Sequence, residues 1–403
     1  MSEVDVAIVG GGLVGASLAL ALAPTGLRVA LIEGVSPDAH SQPSFDDRTT
    51  AIGNGTRQSF ESLGLWSTIA PHAAAIRRIH VSDAGRYGFA RLSADEHGIE
   101  AFGYVVTNRV LGAAMRARLS ELRGLELRMP ARCTDVRIGA EQVELLTEPG
   151  DTPLRARLVV AADGANSRVR AAAGIAADTE DYQQVAVVAH VSAARAADGT
   201  AYERFTPTGP FAVLPLASGH YGVVWTLAPA EAERVLGLDD AAYLAALQQA
   251  FGWRLGRLLS VGRRQAYPLA LTRAQSLTGP RTVLIGNAAQ ALHPVAGQGF
   301  NLGLRDTVTL AEVLAQQSGE ARRDAGAPAL LAQFADRRAR DRGGVTRLTD
   351  GLVKLFGDER PGVGLMRDLG LLLFDLSPSA KQALSRLSWG FAERTPRLPQ
   401  SAP

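Results

Sequence analysis

The apolar positions of this chain come first in runs and then in alternation. Val4-Asp5-Val6-Ala7-Ile8-Val9 has strand length and is ended by glycines. Residues Leu13 to Ala23 follow with helical composition, and Val29-Ala30-Leu31-Ile32 is a second apolar run ending at Glu33. Short continuous apolar runs read as strands buried on both faces, so the first ~30 residues predict a β-α-β unit. The polar, Pro-containing stretch from Ser36 to Asp47 reads as a loop.

Asn54 to Leu63 predicts a helix, and Ile76 to Arg91 predicts short strands around a turn at Asp83-Ala84-Gly85. Val110 to Leu122 predicts an amphipathic helix with Leu111, Met115 and Leu119 on one face. Strand-like alternation recurs from Leu125 to Leu146, and Leu158 to Ala162 is another buried strand. The pattern then changes. Val185 to Val191, Phe211 to Leu216 and Tyr221 to Leu227 read as strands separated by Gly/Pro turns, which predicts an antiparallel sheet. A strand at Thr282 to Gly286 returns the chain to the first unit. Beyond Phe300 the pattern is helical, with breaks at Pro328, Pro361 and Pro378.

Composition narrows the function classes. The 403 residues are 46% hydrophobic and 20% charged, enough for two domains with a sizeable core. A net charge of +2 is too small to point to nucleic acid. The lone Cys133 excludes an internal disulfide and reads as a small buried hydrophobe. Met1-Ser2-Glu3-Val4-Asp5 carries acids where a secretory signal needs positive charge. No apolar run approaches the roughly 18 residues of a membrane helix. The expectation is a cytoplasmic protein, soluble or peripherally attached. No Cys/His cluster suits zinc, so no metal is expected.

Three motifs carry candidate chemistry. The first, Gly10-Gly11-Gly12-Leu13-Val14-Gly15, stands between strand and helix. Gly10 permits the tight turn, Gly12 lets the backbone approach a pyrophosphate, and Gly15 allows close helix-sheet packing. The helix start offers unpaired N–H groups to phosphate, and Glu33 is placed to bind ribose hydroxyls. This pattern does not by itself distinguish FAD from NAD. The second runs from Ala161-Ala162-Asp163-Gly164 through Ser167-Arg168 to Arg170; alone, Asp163-Gly164 is simply a turn. The third begins where a strand ends at Gly286-Asn287 and continues through His293-Pro294 and Gly297-Gln298-Gly299-Phe300-Asn301 to Arg305-Asp306. Its glycines precede a helix and so predict a second anion-binding helix start.

In this order and spacing the motifs resemble those of the flavin-dependent aromatic hydroxylases of the para-hydroxybenzoate hydroxylase type, over nearly the whole chain. The run Gly-Asn-Ala-Ala-Gln-x-Leu-His-Pro-x-Ala-Gly-Gln-Gly-Phe-Asn-Leu-Gly, Gly286 to Gly303, looks most like the ubiquinone-biosynthesis branch acting on 2-polyprenyl-6-methoxyphenol. Most of the superfamily has Gly-Asp where this chain has Gly286-Asn287, which removes one negative charge near the flavin.

The resemblance implies an α/β fold: a Rossmann-type FAD-binding domain, a smaller antiparallel-sheet substrate domain and C-terminal helices. The corresponding segments are 1–75, 100–180 and 270–330 for FAD, 76–99 and 181–269 for substrate, and 331–403 for the helical region. It implies that Gly10, Gly12, Gly15 and Glu33 hold the ADP part of non-covalent FAD, with Asp163 and Gly164 near the pyrophosphate. Gly286 and Asn287 would meet the ribityl chain. Gly297, Gln298, Gly299 and the amides of Phe300 and Asn301 would line the flavin, Pro294 would lie close to it, and Arg48 and Arg109 match flavin-side arginines. NAD(P)H and O2 are the implied cosubstrates, and a flavin C4a-hydroperoxide the implied oxygen donor to a polyprenyl phenol.

His293 and a water chain are equal candidates for deprotonating that phenol. Other readings stay open: another ring position, a soluble aromatic substrate, a flavin reductase, or an FAD-bearing scaffold in a ubiquinone-biosynthesis complex. A polyprenyl substrate further implies peripheral contact with the inner membrane. Leu348, Leu352, Leu355-Phe356, the leucines from Leu365 to Leu376, and Lys381, Arg386, Arg394 and Arg397 are the candidate surface; the same leucines could equally pack onto the FAD domain.

Overall fold

A computed structural model describes residues 2–36, 45–150, 152–294, 297–316 and 324–357. Of the C-terminal surface, Leu348, Leu352 and Leu355-Phe356 fall in a described helix without described side chains. Leu365 onward lies outside the described residues.

The first layer is an eight-stranded sheet. Its parallel centre joins β1 (Ser2–Val9) to β2 (Val29–Ile32) on one side and β11 (Leu154–Ala161) on the other. β8 (Leu125–Arg128) extends the β2 side, and β19 (Thr282–Leu284) with β18 (Thr278–Gly279) extends the β11 side. β9 (Arg132–Ile138) and β10 (Val143–Glu148) add an antiparallel hairpin to β11. The apolar runs are continuous because both faces are covered: Ile8, Ala30, Leu31 and Val160 are completely buried. Helix α1 (Leu13–Leu22) is buried almost all round, packing on α4 (Asn108–Ser120) and α8 (Gln298–Ala315). Each buried leucine there contributes about 1.5–3 kcal/mol. Cys133 packs into this core, and burial pushes its thiol up to about 11.

The second layer is a nine-stranded sheet. Its order is β20 (Gln290–Ala291), β17 (Gln265–Ala274), β12 (Ala177–Ala193), β15 (Tyr221–Leu227), β14 (Gly209–Pro215), β13 (Thr200–Thr206), β5 (Arg78–Asp83) and β6 (Phe89–Ser93), with β16 (Leu258–Val261) also on β12. It is antiparallel as expected except at β13 and β5, which run parallel. Helices α6 (Pro229–Leu236) and α7 (Asp240–Phe251) cover one face, where Val187, Val223, Trp225 and Phe211 meet Val235, Tyr243 and Phe251. The periodicity had not marked β13, β16, β17, α6 or α7. β13 interrupts its apolar positions with Glu203 and Arg204, and β17 contains Pro268.

A small sheet of β3 (Thr49–Gly53), β7 (Gly103–Thr107) and β4 (Ala74–Ile76) lies between the two layers: Ala51 and Val105 cluster with Ala201 and Leu214 of the larger sheet. The remaining helices are α2 (Asn54–Ser62), α3 (Trp66–Ile69), α5 (Arg168–Ala172) and α9 (Pro328–Gly357). Pro328 opens α9, where its missing N–H costs nothing. Among the described residues no helix is long and apolar enough to cross a membrane.

Two helix starts near the motifs differ from expectation. Helix α4 begins at Asn108 rather than Val110, so Arg109 sits in its first turn; Thr107 is the extended cap, and Thr50 Oγ1 donates to Asn108 Oδ1 at 2.6 Å. Helix α8 begins at Gln298, because Gly297 takes the left-handed conformation (φ 61°) and itself forms the cap.

Candidate functional site

The first motif forms the expected turn from β1 into α1. Gly10 has φ 104°, and a Cβ there would stand 2.4 Å from the Ala162 carbonyl oxygen. A Cβ on Gly15 would stand 1.9 Å from the Gly10 carbonyl oxygen. Those two glycines are demanded by packing. Gly12 caps α1 at φ −66° and ψ −174°, a conformation open to any residue. Glu33 reaches back from the end of β2: Gly11 N–H donates to its Oε2 at 2.7 Å and Val35 N–H to its Oε1 at 2.9 Å. The carboxylate is thereby fixed beside the α1 N-terminus, with lone pairs left for hydroxyl donors.

Asp163 ends β11 next to this turn. Its Oδ2 accepts from Arg168 N–H at 2.9 Å and Val169 N–H at 3.3 Å, while its buried Oδ1 has no hydrogen-bond partner among the described residues. Gly164 has φ 88° and open space where a Cβ would project. Arg170, the last residue of the second motif and given no role by the sequence, ties that motif to the third, donating to the carbonyls of Ala165 at 2.7 Å and Ala288 at 2.8 Å.

The third motif starts at Gly286 (φ 56°), whose N–H donates to Asp306 Oδ2 at 3.3 Å. Asp306 is fully buried and pairs with Arg338 of α9 at 2.7 Å. Asn287, next along, is exposed. At the start of α8, a Cβ on Gly297 would stand 3.0 Å from that of Ala51, and Gly299 faces open space. Gln298 is buried, and Phe300 is half-buried with its ring 6.0 Å from that of Phe60. Asn301 uses its side chain to hold α8 to β3: its Oδ1 accepts from Gly53 N–H at 3.0 Å and Thr56 Oγ1 at 2.7 Å, and its Nδ2 donates to the Ala51 carbonyl at 2.8 Å. What it has left to offer a ligand is its backbone amide, in the first turn of α8.

Arg48 is drawn into a cluster that sequence reasoning missed. Its Nε lies 2.7 Å from Asp46 Oδ2, and its guanidinium stacks 4.7 Å from the ring centre of Tyr267 on β17. Tyr267 in turn donates to Asp46 Oδ2 at 2.9 Å, and burial together with that bond pushes its phenol up to about 12. Arg109 is exposed and chelates Asp47 at 2.7–2.9 Å. It steadies the 46–48 loop from outside, as an exposed pair of small energetic weight.

His293 is 1% exposed and lies edge-on to Tyr182, ring centres 5.3 Å apart, while Pro294 is exposed. Burial pushes the imidazole down to about 4. A base that weak is poorly matched to a phenol of pKa near 10, which argues against its candidacy as the deprotonating residue. The folded state disfavours the imidazolium that the unfolded chain accepts near pH 6.5. The stability this contributes is therefore present above pH ~6.5 and lost as pH falls towards ~4. Unfolding free energies from urea titrations between pH 7 and 4.5 should fall less steeply in His293→Asn than in wild type, by up to about 1.4 kcal/mol per pH unit. Parallel slopes would show that His293 does not titrate this way.

The three motifs therefore meet: Gly10 lies against Ala162 and Asp163, Glu33 holds the Gly11 amide, Arg170 ties the second motif to the third, and Gly286 packs on Val14 of α1.

Comparison with known proteins agrees with this geometry. The profile of the FAD binding domain family matches residues 3–347. The chain is 39% identical over 399 residues to the ubiquinone hydroxylase UbiL of Rhodospirillum rubrum, covering 98% of this chain and 92% of that protein. It is 32% identical to the 3-demethoxyubiquinol 3-hydroxylase of Escherichia coli, covering 96% and 98% of the two chains. In structure it superposes on the p-nitrophenol 4-monooxygenase PnpA of Pseudomonas putida DLL-E4 with a TM-score of 0.79, at 20% identity, covering 96% and 99% of the two chains.

Proposed function

The chain belongs to the FAD binding domain family and is an FAD-dependent monooxygenase of the flavin aromatic hydroxylase superfamily; from that premise we propose that it hydroxylates the ring of a polyprenyl phenol of the 2-polyprenyl-6-methoxyphenol type. The observation that carries this reading is full-length similarity to ubiquinone hydroxylases, joined to a site whose parts fit a flavin and an aromatic ring. Bound FAD supplies electron transfer from NAD(P)H and activation of O2.

The protein's own contribution is binding, orientation and shielding. Gly12 leaves the α1 amides open to the pyrophosphate, and Glu33 takes ribose hydroxyls with the oxygen capacity its two amide bonds leave free. Gly164 leaves room for the pyrophosphate, Asp163 has an Oδ1 that can accept from a cofactor hydroxyl, and Asn287 bonds the ribityl chain without adding a carboxylate. The amides at Gln298 to Asn301 face the flavin O2, where the helix start favours negative charge. Arg48 flanks the ring, held in place by Asp46 and Tyr267. Pro294 and neutral His293 form a wall that keeps water out. Peripheral attachment to the inner membrane would give such a substrate its route from the bilayer.

The assay is substrate-stimulated oxidation of NAD(P)H by the purified yellow protein, with product analysis. Flavin reduction in stopped flow should be slow alone and faster with a prenylated methoxyphenol, and a hydroxylated ring should accumulate. Equal reduction rates without hydroxylated product would point instead to a flavin reductase. The quinone intermediate that builds up on gene deletion then identifies the ring position.

A further inference from the structure

The face of the nine-stranded sheet turned away from α6 and α7 is set by register. Tyr202 packs towards α7, its ring 5.6 Å from that of Phe251, so its neighbours Ala201 and Glu203 point the opposite way. Ala201 confirms the direction by clustering with Leu214 and with Ala51, the residue against which the α8 cap packs. Glu203 stands on the same wall, two residues or about 6.8 Å further along β13. Its cross-strand partners are Val81 on β5 and Ala212 on β14, and Val224 and Val188 continue the row.

Two other ionisable groups on this face are engaged elsewhere: Asp83 pairs with Arg86 at the end of β5, and Tyr267 is bonded to Asp46. A third, His190, lies opposite Gly222, against which Thr49 packs, and its buried Nε2 has no hydrogen-bond partner among the described residues. Glu203 is half-buried in a row of small apolar side chains, with burial as the one cause that raises its carboxyl, to about 7. A carboxyl in such surroundings is costly unless something donates to it. Helix α9 also comes against β13 and β14, so the row of Ala212, Val224 and Val188 is an apolar floor bounded by that helix; it suits the flat of an aromatic ring, and a carboxyl at its end suits a ring hydroxyl.

We propose that Glu203 binds the phenolic hydroxyl of the substrate, its carboxylate accepting a hydrogen bond from that O–H across the row formed with Ala212 and Val224. The inference rests on the phenol-hydroxylase reading above. It supplies the substrate contact that His293 is poorly suited to make.

The test is a cycle between residue and ligand on the FAD-loaded enzyme. Binding of a short-chain prenylated 2-methoxyphenol and of its O-methyl ether is measured for wild type, Glu203→Leu and Glu203→Gln. FAD content and thermal midpoint serve as controls. In wild type the phenol should bind at least tenfold more tightly than the ether. Glu203→Leu should abolish that preference by weakening the phenol alone, and Glu203→Gln, which keeps an acceptor oxygen, should retain most of it. Should the leucine variant fail to fold, Glu203→Ala completes the cycle. If wild type turns the phenol into hydroxylated product while its preference over the ether is unchanged in these variants, the assignment of Glu203 is wrong. If wild type makes no hydroxylated product, the functional reading fails instead.

Discussion

Gly12→Val is expected to give folded but colourless protein. The three motif glycines do different work. A side chain on Gly10 or Gly15 would collide with backbone at 2.4 and 1.9 Å, so substitution there should damage the β1–α1 packing itself. Gly12 has an extended backbone that valine adopts without strain, and it contributes no side-chain cap to lose. The fold should therefore tolerate valine at a cost of about 1 kcal/mol in capping. The cofactor should not, because the added methyls project where a pyrophosphate must approach the α1 amides. We expect FAD affinity to fall at least about 100-fold, or ~2.8 kcal/mol. Titration of the apoprotein with FAD, beside circular dichroism, separates the two effects. Full FAD content in a folded Gly12→Val protein would remove the phosphate-loop assignment.

The largest stability effect should come from Asp306→Leu. Asp306 and Arg338 form an ion pair in which the side chains are 0% and 4% exposed, and Asp306 also receives the Gly286 N–H. Removing the carboxylate takes the paired charge from a buried guanidinium, a loss of about 3–5 kcal/mol. It also frees the turn that presents Asn287, so FAD affinity should weaken as well. Replacing both partners, Asp306→Leu with Arg338→Met, should recover most of the stability, since apolar side chains of similar volume need no partner. Denaturant unfolding of the single and double variants provides the comparison. A single variant within about 1 kcal/mol of wild type would show that the pair does not hold α9 to the flavin side.

What the sequence determined by itself was local or strongly periodic. The β1–α1–β2 unit, the glycine turn and the return strand at Thr282 were legible because buried parallel strands are continuous apolar runs and because turns with φ > 0 select glycine. Resemblance added the order of the three motifs, hence FAD and the monooxygenase class. Tertiary structure decided which polar residues meet. Asp306 and Arg338 are 32 positions apart, and Asp46 and Tyr267 are 221 apart; no local pattern marks either pair. It also decided the state of single groups. His293 in sequence is a plausible base, but buried to 1% exposure it is held neutral. Glu203 in sequence breaks the alternation of a strand. Cross-strand register alone turns it to the face away from α7, beside Ala212, because the face a strand residue occupies is fixed by its partners and not by its own chemistry.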